Sequence, residues 1–206
     1  RPVDGSTRSH NQHRHHDEAH RLRRRDDPGL HLVIRSTAQT SFGLFLAAFC
    51  ASSLYRVWRR PWSRWLIVHR RYVGVSFAVS HFIHLGAIVA LAMSSTEFRD
   101  SINAVTVVGG GMAYVFVAAM AVTSSDAAVR LLGHRAWKIL HTVGGYYIWI
   151  IFFQSYIGRA VHVPSYIPAA LLCIGAVGLR LAVRFGWRHP SPSTSSAPQS
   201  VGAGAD

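Results

Sequence analysis

The chain has 206 residues; half are hydrophobic and only 15% are charged, yet the formal net charge is +13. Soluble domains average about 25% charged residues, so this composition excludes an ordinary soluble basic protein. Charged and apolar residues are segregated along the chain, whereas a nucleic-acid-binding protein spreads its positive charge over a folded surface. We therefore expect no nucleic-acid partner.

Five stretches between Arg35 and Arg180 contain no Asp, Glu, Lys or Arg. Each has 20 or 25 residues, and a transmembrane helix needs about 20. The stretches are 36–55, 72–96, 101–125, 139–158 and 160–179. Because every backbone polar group inside a bilayer must be satisfied within the protein, the sequence predicts an all-α, polytopic transmembrane helical bundle of about five spans.

The two ends of the chain differ from this apolar region. Residues 1–28 are rich in His and Arg, and residues 188–206 are rich in Ser, Pro and Ala, so we expect two disordered tails around one membrane domain at 29–187. Histidines of the first tail could capture a metal for a transporter. No fixed ligand spacing recurs among them, and the five stretches contain no acidic residue, so a solvated tail is the favoured interpretation. These histidines are His10, His13, His15, His16 and His20.

The connection after the first span, residues 56–71, contains six arginines and no acidic residue. Its three tryptophans, Trp58, Trp62 and Trp65, are typical of an interfacial segment with rings at headgroup level and arginines facing phosphates. Pro61 should prevent one helix from continuing through it. The lipid bilayer is therefore the first expected partner.

The distribution of Lys and Arg predicts the orientation of the chain. Twelve of them lie in the connections 56–71 and 125–138 and the C-terminal flank, against only Arg99 and Arg159 in the opposite loops. The positive-inside rule places the first group, and with it the C-terminus, in the cytoplasm.

Three histidines, His81, His84 and His141, lie within predicted spans, where ionisable residues are rare and usually functional. At about 1.5 Å per residue, His84 lies about 20 Å beyond Arg71, while His141 lies about 5 Å beyond Lys138. His81 and His84 share one helix face because they are three residues apart. The two helices thus offer imidazoles at different depths.

Imidazoles inside a helical bundle are typical ligands of a b-type haem. Gly74, Gly144 and Gly145 would leave volume for a porphyrin, and Arg70 and Arg71 could pair with its propionates. The alternatives are that the histidines form hydrogen bonds between helices and that the two arginines are positive-inside anchors. Spacing alone leaves both interpretations open.

The two cysteines, Cys50 and Cys173, both lie in apolar spans. That position excludes a disulfide framework and a CxxC metal site. We expect both to be small buried residues.

Two segments resemble motifs of the ferric reductase-like transmembrane family, which includes the haem-binding membrane subunit of the periplasmic methionine sulfoxide reductase system. RRYVGVSFAVSHFIHL (70–85) resembles the family's RR-x-LGL-…-H pattern, and WKILHTVGGYYIW (137–149) resembles its W-x-x-LH-x-x-x-Y stretch. The resemblance covers roughly residues 38–183.

This resemblance implies that His84 and His141 are iron ligands of one or two b-type haems, with His81 as a substitute for His84. Family members often carry a further histidine thirteen residues after the second motif's first histidine, and that position is Gln154 here. One haem near His141, an altered outer site or a loss of haem would each follow from this departure. His69 could serve as an inner partner, although an interfacial residue is the favoured interpretation.

The function implied by the resemblance is an oxidoreductase component that carries electrons across the bilayer to an outer-face redox partner. The chain has no glycine-rich phosphate loop after a strand, so a flavin or quinone must come from a separate cytoplasmic reductase or a quinol pool. A bacterial inner membrane is the expected location. The alternative is a non-catalytic membrane helical bundle that has lost haem and uses its histidines for interhelical hydrogen bonds.

Overall fold

The computed structural model describes residues 28–186, which form eight α-helices, one 3₁₀ turn at Pro164–Tyr166 and no strand. The helices are α1 (Pro28–Val57), α2 (Pro61–Val68), α3 (Arg70–Ser94), α4 (Thr96–Ser101), α5 (Ala104–Val122), α6 (Asp126–Leu132), α7 (His134–Ala160) and α8 (Ile167–Phe185). The predicted all-α class is confirmed, while the predicted disorder of both tails lies outside the described residues.

Four of these helices are long and apolar enough to cross a membrane, as expected for an integral membrane protein. They are α1, from Leu32 onward, α3, α5 and the segment Pro164–Phe185 that contains α8. Helix α7 is also long, but its two histidines, its tyrosines and its glutamine lower its apolarity. The bundle therefore has roughly the five membrane-length helices that the sequence predicted.

Capping residues and one glycine mark the helix ends between the spans. The Asn103 side chain accepts a hydrogen bond from the Thr106 backbone N–H at 2.8 Å, and Ser125 accepts one from Ala128 at 3.1 Å, so each caps the helix that follows. Gly133 has a φ of +78°, a conformation that favours glycine, and it separates α6 from α7.

The five long helices form a closed ring in which α1 contacts α3 and α8, α7 contacts α5 and α8, and α3 contacts α5. Aromatic side chains fill the interior of this ring. Phe42 and Phe45 of α1 lie 5.4 and 5.3 Å from Phe152 of α7, measured between ring centroids. Phe77 of α3 lies 5.4 Å from Phe45, so three helices meet in one aromatic core.

The outer surface of the ring is apolar. On α5, large side chains such as Val105, Val108, Val115 and Val122 are exposed, whereas Ala113 and Val117 are buried against the bundle. Contiguous apolar surface of this kind matches a lipid environment, in which lipid tails replace water around the helices.

The connection 56–71 folds as predicted from its proline. Helix α1 ends at Val57, and α2 begins at Pro61, where a missing N–H costs nothing because it is the first helical position. The hydroxyl of Ser63, fully buried, accepts a hydrogen bond from the Arg60 backbone N–H at 3.2 Å and donates to the Trp58 carbonyl. A short turn held by these hydrogen bonds therefore joins α1 to α2.

Two predicted cytoplasmic connections meet at one end of the bundle, which we call the basic end (residues 57–71 and 123–138). Arg71 forms an ion pair with Asp126 at 3.1 Å. The indole of Trp137 donates to the Thr123 carbonyl at 3.0 Å. Helices α3 and α7 both begin at this end, so they run in the same direction.

Candidate cofactor site

A cavity of about 440 Å³, the inner cavity, opens at the basic end between α1, α3, α5, α7 and α8. Its walls are mostly apolar and aromatic, with Phe45, Phe49 and Phe77 on one side. Its polar groups include His141 and Arg180. Clefts of several hundred Å³ with apolar walls and a few polar groups are the usual form of a small-molecule or cofactor site.

His141 is half-buried in the second turn of α7 and lines the inner cavity. Its Nδ1 lies 3.1 Å from the carbonyl oxygen of Trp137 and must be the donor, because a carbonyl has no proton. The ring also lies beside the Met120 backbone of α5. In this tautomer Nε2 carries the lone pair, which is the arrangement that metal-binding histidines commonly use.

Three arginines give the inner cavity a positive field. Arg70 donates to the Ser52 hydroxyl at 3.3 Å, and Arg71 pairs with the exposed Asp126. Arg180 enters from α8, donates to the Phe49 carbonyl at 2.6 Å and places its guanidinium 4.1 Å from the Phe49 ring centroid and 5.1 Å from that of Tyr146. The arrangement can hold an anionic group near the mouth of an apolar cavity.

Arg180 is the residue of this site that sequence reasoning missed. Its position near the C-terminal end of the last span made it one more positive-inside residue. Phe49, whose carbonyl it contacts, is 131 residues away in the sequence. No local pattern indicates such a contact, and only the ring of helices brings α8 against α1.

The three glycines predicted to leave volume differ in their surroundings. A Cβ added at Gly74 would meet nothing within 4 Å, and one at Gly145 would lie 3.7 Å from the Phe49 ring; both glycines line the inner cavity. A Cβ at Gly144 would lie 3.0 Å from the Met120 sulfur and 3.1 Å from Phe116. The prediction is therefore wrong for Gly144, which serves close packing of α7 on α5.

His81 and His84 form an outer histidine pair on α3, with ring centroids 5.7 Å apart. The Thr37 hydroxyl donates to the Val33 carbonyl at 2.6 Å, so its oxygen accepts from His84 Nδ1 at 3.1 Å. His81 stacks on Tyr114 at 4.6 Å. Its Nδ1 is buried and has no hydrogen-bond partner among the described residues, which normally costs about 1–3 kcal/mol.

The structure does not bring all the predicted ligands together. His141, Arg70 and Arg71 line the inner cavity, whereas His81 and His84 do not. Gln154 is exposed on the outer surface of α7. His69 does not line the inner cavity, and its ring stacks on that of Trp65 at 4.6 Å between centroids.

These observations decide which residues suit a haem. The inner cavity contains one imidazole in the tautomer that can ligate a metal, open volume beside Gly74 and a positively charged mouth. These features fit a haem. The outer pair offers the buried Nδ1 of His81, which has no hydrogen-bond partner among the described residues, but neither histidine of this pair lines the inner cavity. Within residues 28–186 no group of three or more His, Cys, Asp or Glu is placed to hold a bare metal ion.

Comparison with protein-family models, with curated proteins and with solved structures finds no match for this chain.

Proposed function

We propose that this protein is a haem-b-binding membrane subunit that carries electrons across the bilayer, with His141 as the residue that would hold the haem iron in the inner cavity. The single observation that carries the proposal is the hydrogen bond from His141 Nδ1 to the Trp137 carbonyl beside a 440 Å³ cavity. That bond orients the imidazole, and in this tautomer Nε2 would be the nitrogen that ligates iron. The resemblance of both motifs to the ferric reductase-like family supports the same assignment.

The residues around the inner cavity would each have a defined role. Trp137 holds the tautomer and orientation of His141. Arg70 and Arg180 would bind carboxylates at the mouth, and Arg71 adds charge although Asp126 partly offsets it. Phe45 and Phe77 would limit the access of water to the haem, and an apolar shell of this kind influences the redox potential. The haem, when bound, supplies one-electron chemistry.

The resemblance to the ferric reductase-like family implies that electrons enter from the cytoplasmic side, and the charge distribution supports the orientation of the chain. The basic end would face the cytoplasm of a bacterium, with the protein in the inner membrane and the C-terminus inside. Electrons would come from a separate cytoplasmic reductase that carries flavin, or from a quinol pool. An outer-face redox partner would receive them near α4 and the 3₁₀ turn.

The test is the haem content of the full chain, purified in mild detergent from haem-replete cells. We expect about one b-type haem per chain, with the absorption bands of bis- or mono-histidine ligation on reduction. His141→Ala should lose most of the haem because it removes the ligand. His162→Ala, an exposed histidine outside the cavity, is the matched control and should retain it.

A colourless wild-type preparation would overturn the proposal. So would a His141→Ala variant with full haem content and an unchanged midpoint potential. His84→Ala addresses the outer pair separately: we expect it to keep the inner haem, because His84 does not line the inner cavity.

A second function, a haem-free helical bundle, is favoured by the hydrogen bond between Thr37 of α1 and His84 of α3. In that case the histidines only join helices. Iron and haem content per chain separate the two proposals. The haem-free bundle predicts that neither iron nor haem copurifies with the chain. It also predicts that His84→Ala changes stability and no other property.

A further inference from the structure

A second concave surface, the corner groove, lies where α1 turns into α2 and is independent of the inner cavity proposal. It has a volume of about 530 Å³ and is lined by residues of the α1 end, the turn that follows, α2 and the junction before α3, among them Arg59, Arg60, Arg64 and Trp65. None of its lining residues is acidic.

The arginines of the corner groove have no carboxylate partner within residues 28–186. That part of the chain contains three acidic residues: Glu97, Asp100 and Asp126. Asp126 pairs with Arg71, and the other two lie in α4, beyond the opposite end of α3. Arg59, Arg60 and Arg64 are all exposed. Three exposed guanidiniums that no carboxylate of residues 28–186 compensates surround one concavity, and together they provide a site for an anion.

The position of the corner groove at the membrane surface favours a lipid headgroup over a free anion. Helix α2 connects the end of one span to the start of another, so it lies at the membrane surface. Trp62, Trp65 and Val68 of α2 are 52%, 57% and 66% exposed, and such side chains suit the boundary between headgroups and acyl chains. A free anion would leave this apolar rim in water, whereas a lipid would cover it.

The corner groove is also preorganised. The buried Ser63 hydroxyl ties the Arg60 N–H to the Trp58 carbonyl, which fixes the turn that presents Arg59 and Arg60. His69 Nδ1 donates to the Trp65 carbonyl at 2.9 Å, and the two rings stack. A fixed turn loses little conformational entropy when a ligand binds.

We propose that the corner groove binds the phosphate of an anionic phospholipid, with Arg59, Arg60 and Arg64 on the headgroup and Trp65 and Val68 against its acyl chains. The juxtamembrane attraction of an arginine to an anionic lipid corresponds to about fivefold in affinity per residue. Such a lipid would anchor the α1–α2 corner at the cytoplasmic leaflet.

The experiment compares short-chain phosphatidylglycerol with phosphatidylcholine for binding to the full chain in detergent. We expect wild type to prefer phosphatidylglycerol by at least about tenfold. The triple variant Arg59→Gln, Arg60→Gln, Arg64→Gln should lose this preference. The matched control is Arg130→Gln, Arg135→Gln, Lys138→Gln, which removes the same charge from the same end. It should lose far less of the preference than the triple variant, because these residues do not line the corner groove.

Two further measurements, on a single variant and with inorganic phosphate as competitor, keep the proposal testable. The single variant Arg64→Gln, at an exposed helix position, should lose about fivefold even if the triple variant does not fold. Inorganic phosphate should not displace the lipid at equal concentration. Equal binding of both lipids by wild type, full preference in the Arg64→Gln variant, equal loss in the control, or displacement by inorganic phosphate would each overturn the proposal.

Discussion

At the scale of single residues, the three histidines within the bundle have different hydrogen-bond partners. His141 donates to a carbonyl of its own helix, His84 donates to a hydroxyl on α1, and His81 has a buried Nδ1 without a partner in the described part of the chain. His84 has a structural role whether or not iron is bound.

The hydrogen bond between Thr37 and His84 can be removed without changing size, by Thr37→Val. We expect the free energy of unfolding to fall by about 0.6 kcal/mol, the average for hydrogen bonds between membrane helices. The measurement is unfolding in mixed micelles with increasing denaturing detergent. Thr40→Val, at an exposed position of the same helix, should leave stability unchanged. Equal losses in both variants would mean that the bond to His84 contributes nothing.

At the scale of elements, α5 and α7 approach closely because Gly144 has no side chain. The Met120 sulfur and the Phe116 ring occupy the space that a Cβ would need. Small residues at such crossings let the helices of a membrane bundle pack closely. This contact holds α7, and therefore His141, in the ring of helices.

Gly144→Ala should consequently destabilise the bundle, by about 1–3 kcal/mol for an overpacked contact. Gly158→Ala on the same helix is the matched control, since its Cβ would meet nothing within 4 Å. Unfolding in mixed micelles provides the comparison. If Gly144→Ala were as stable as the control, Met120 and Phe116 would have to move without cost, and close packing would not explain this glycine.

At the scale of the whole molecule, the ion pair between Arg71 and Asp126 and the bond from Trp137 to Thr123 place two basic connections at one end. Arg99 lies in α4, beyond the other end of α3. The charge asymmetry that the sequence showed is thus an asymmetry between two ends of one bundle. This is the physical basis of the predicted orientation.

Labelling of introduced cysteines tests that orientation. A membrane-impermeant thiol reagent applied to intact cells should label Arg99→Cys, while Arg135→Cys should react only after permeabilisation, because both positions are exposed but lie on opposite sides. The native Cys50 and Cys173 are buried and give little background. The reverse pattern would invert the topology and move the inner cavity to the outer side.

The sequence by itself determined the helical class, the approximate number of spans, the break before Pro61 and the grouping of the basic connections. Each depends on local chain properties: the length of a charge-free stretch, a missing N–H, or the count of Lys and Arg. The prediction that His84 and His141 lie at different depths rests on helical rise alone, since both helices start from the same side.

Only the tertiary structure decided what surrounds those residues. Arg180 contacts Phe49, Gly144 packs against Met120, and His84 is hydrogen-bonded to Thr37. Gln154 is exposed. These contacts join residues far apart in the sequence or depend on how each helix is rotated about its axis. In a bilayer that rotation is set by packing between helices rather than by apolarity, because lipid tails are as apolar as the core.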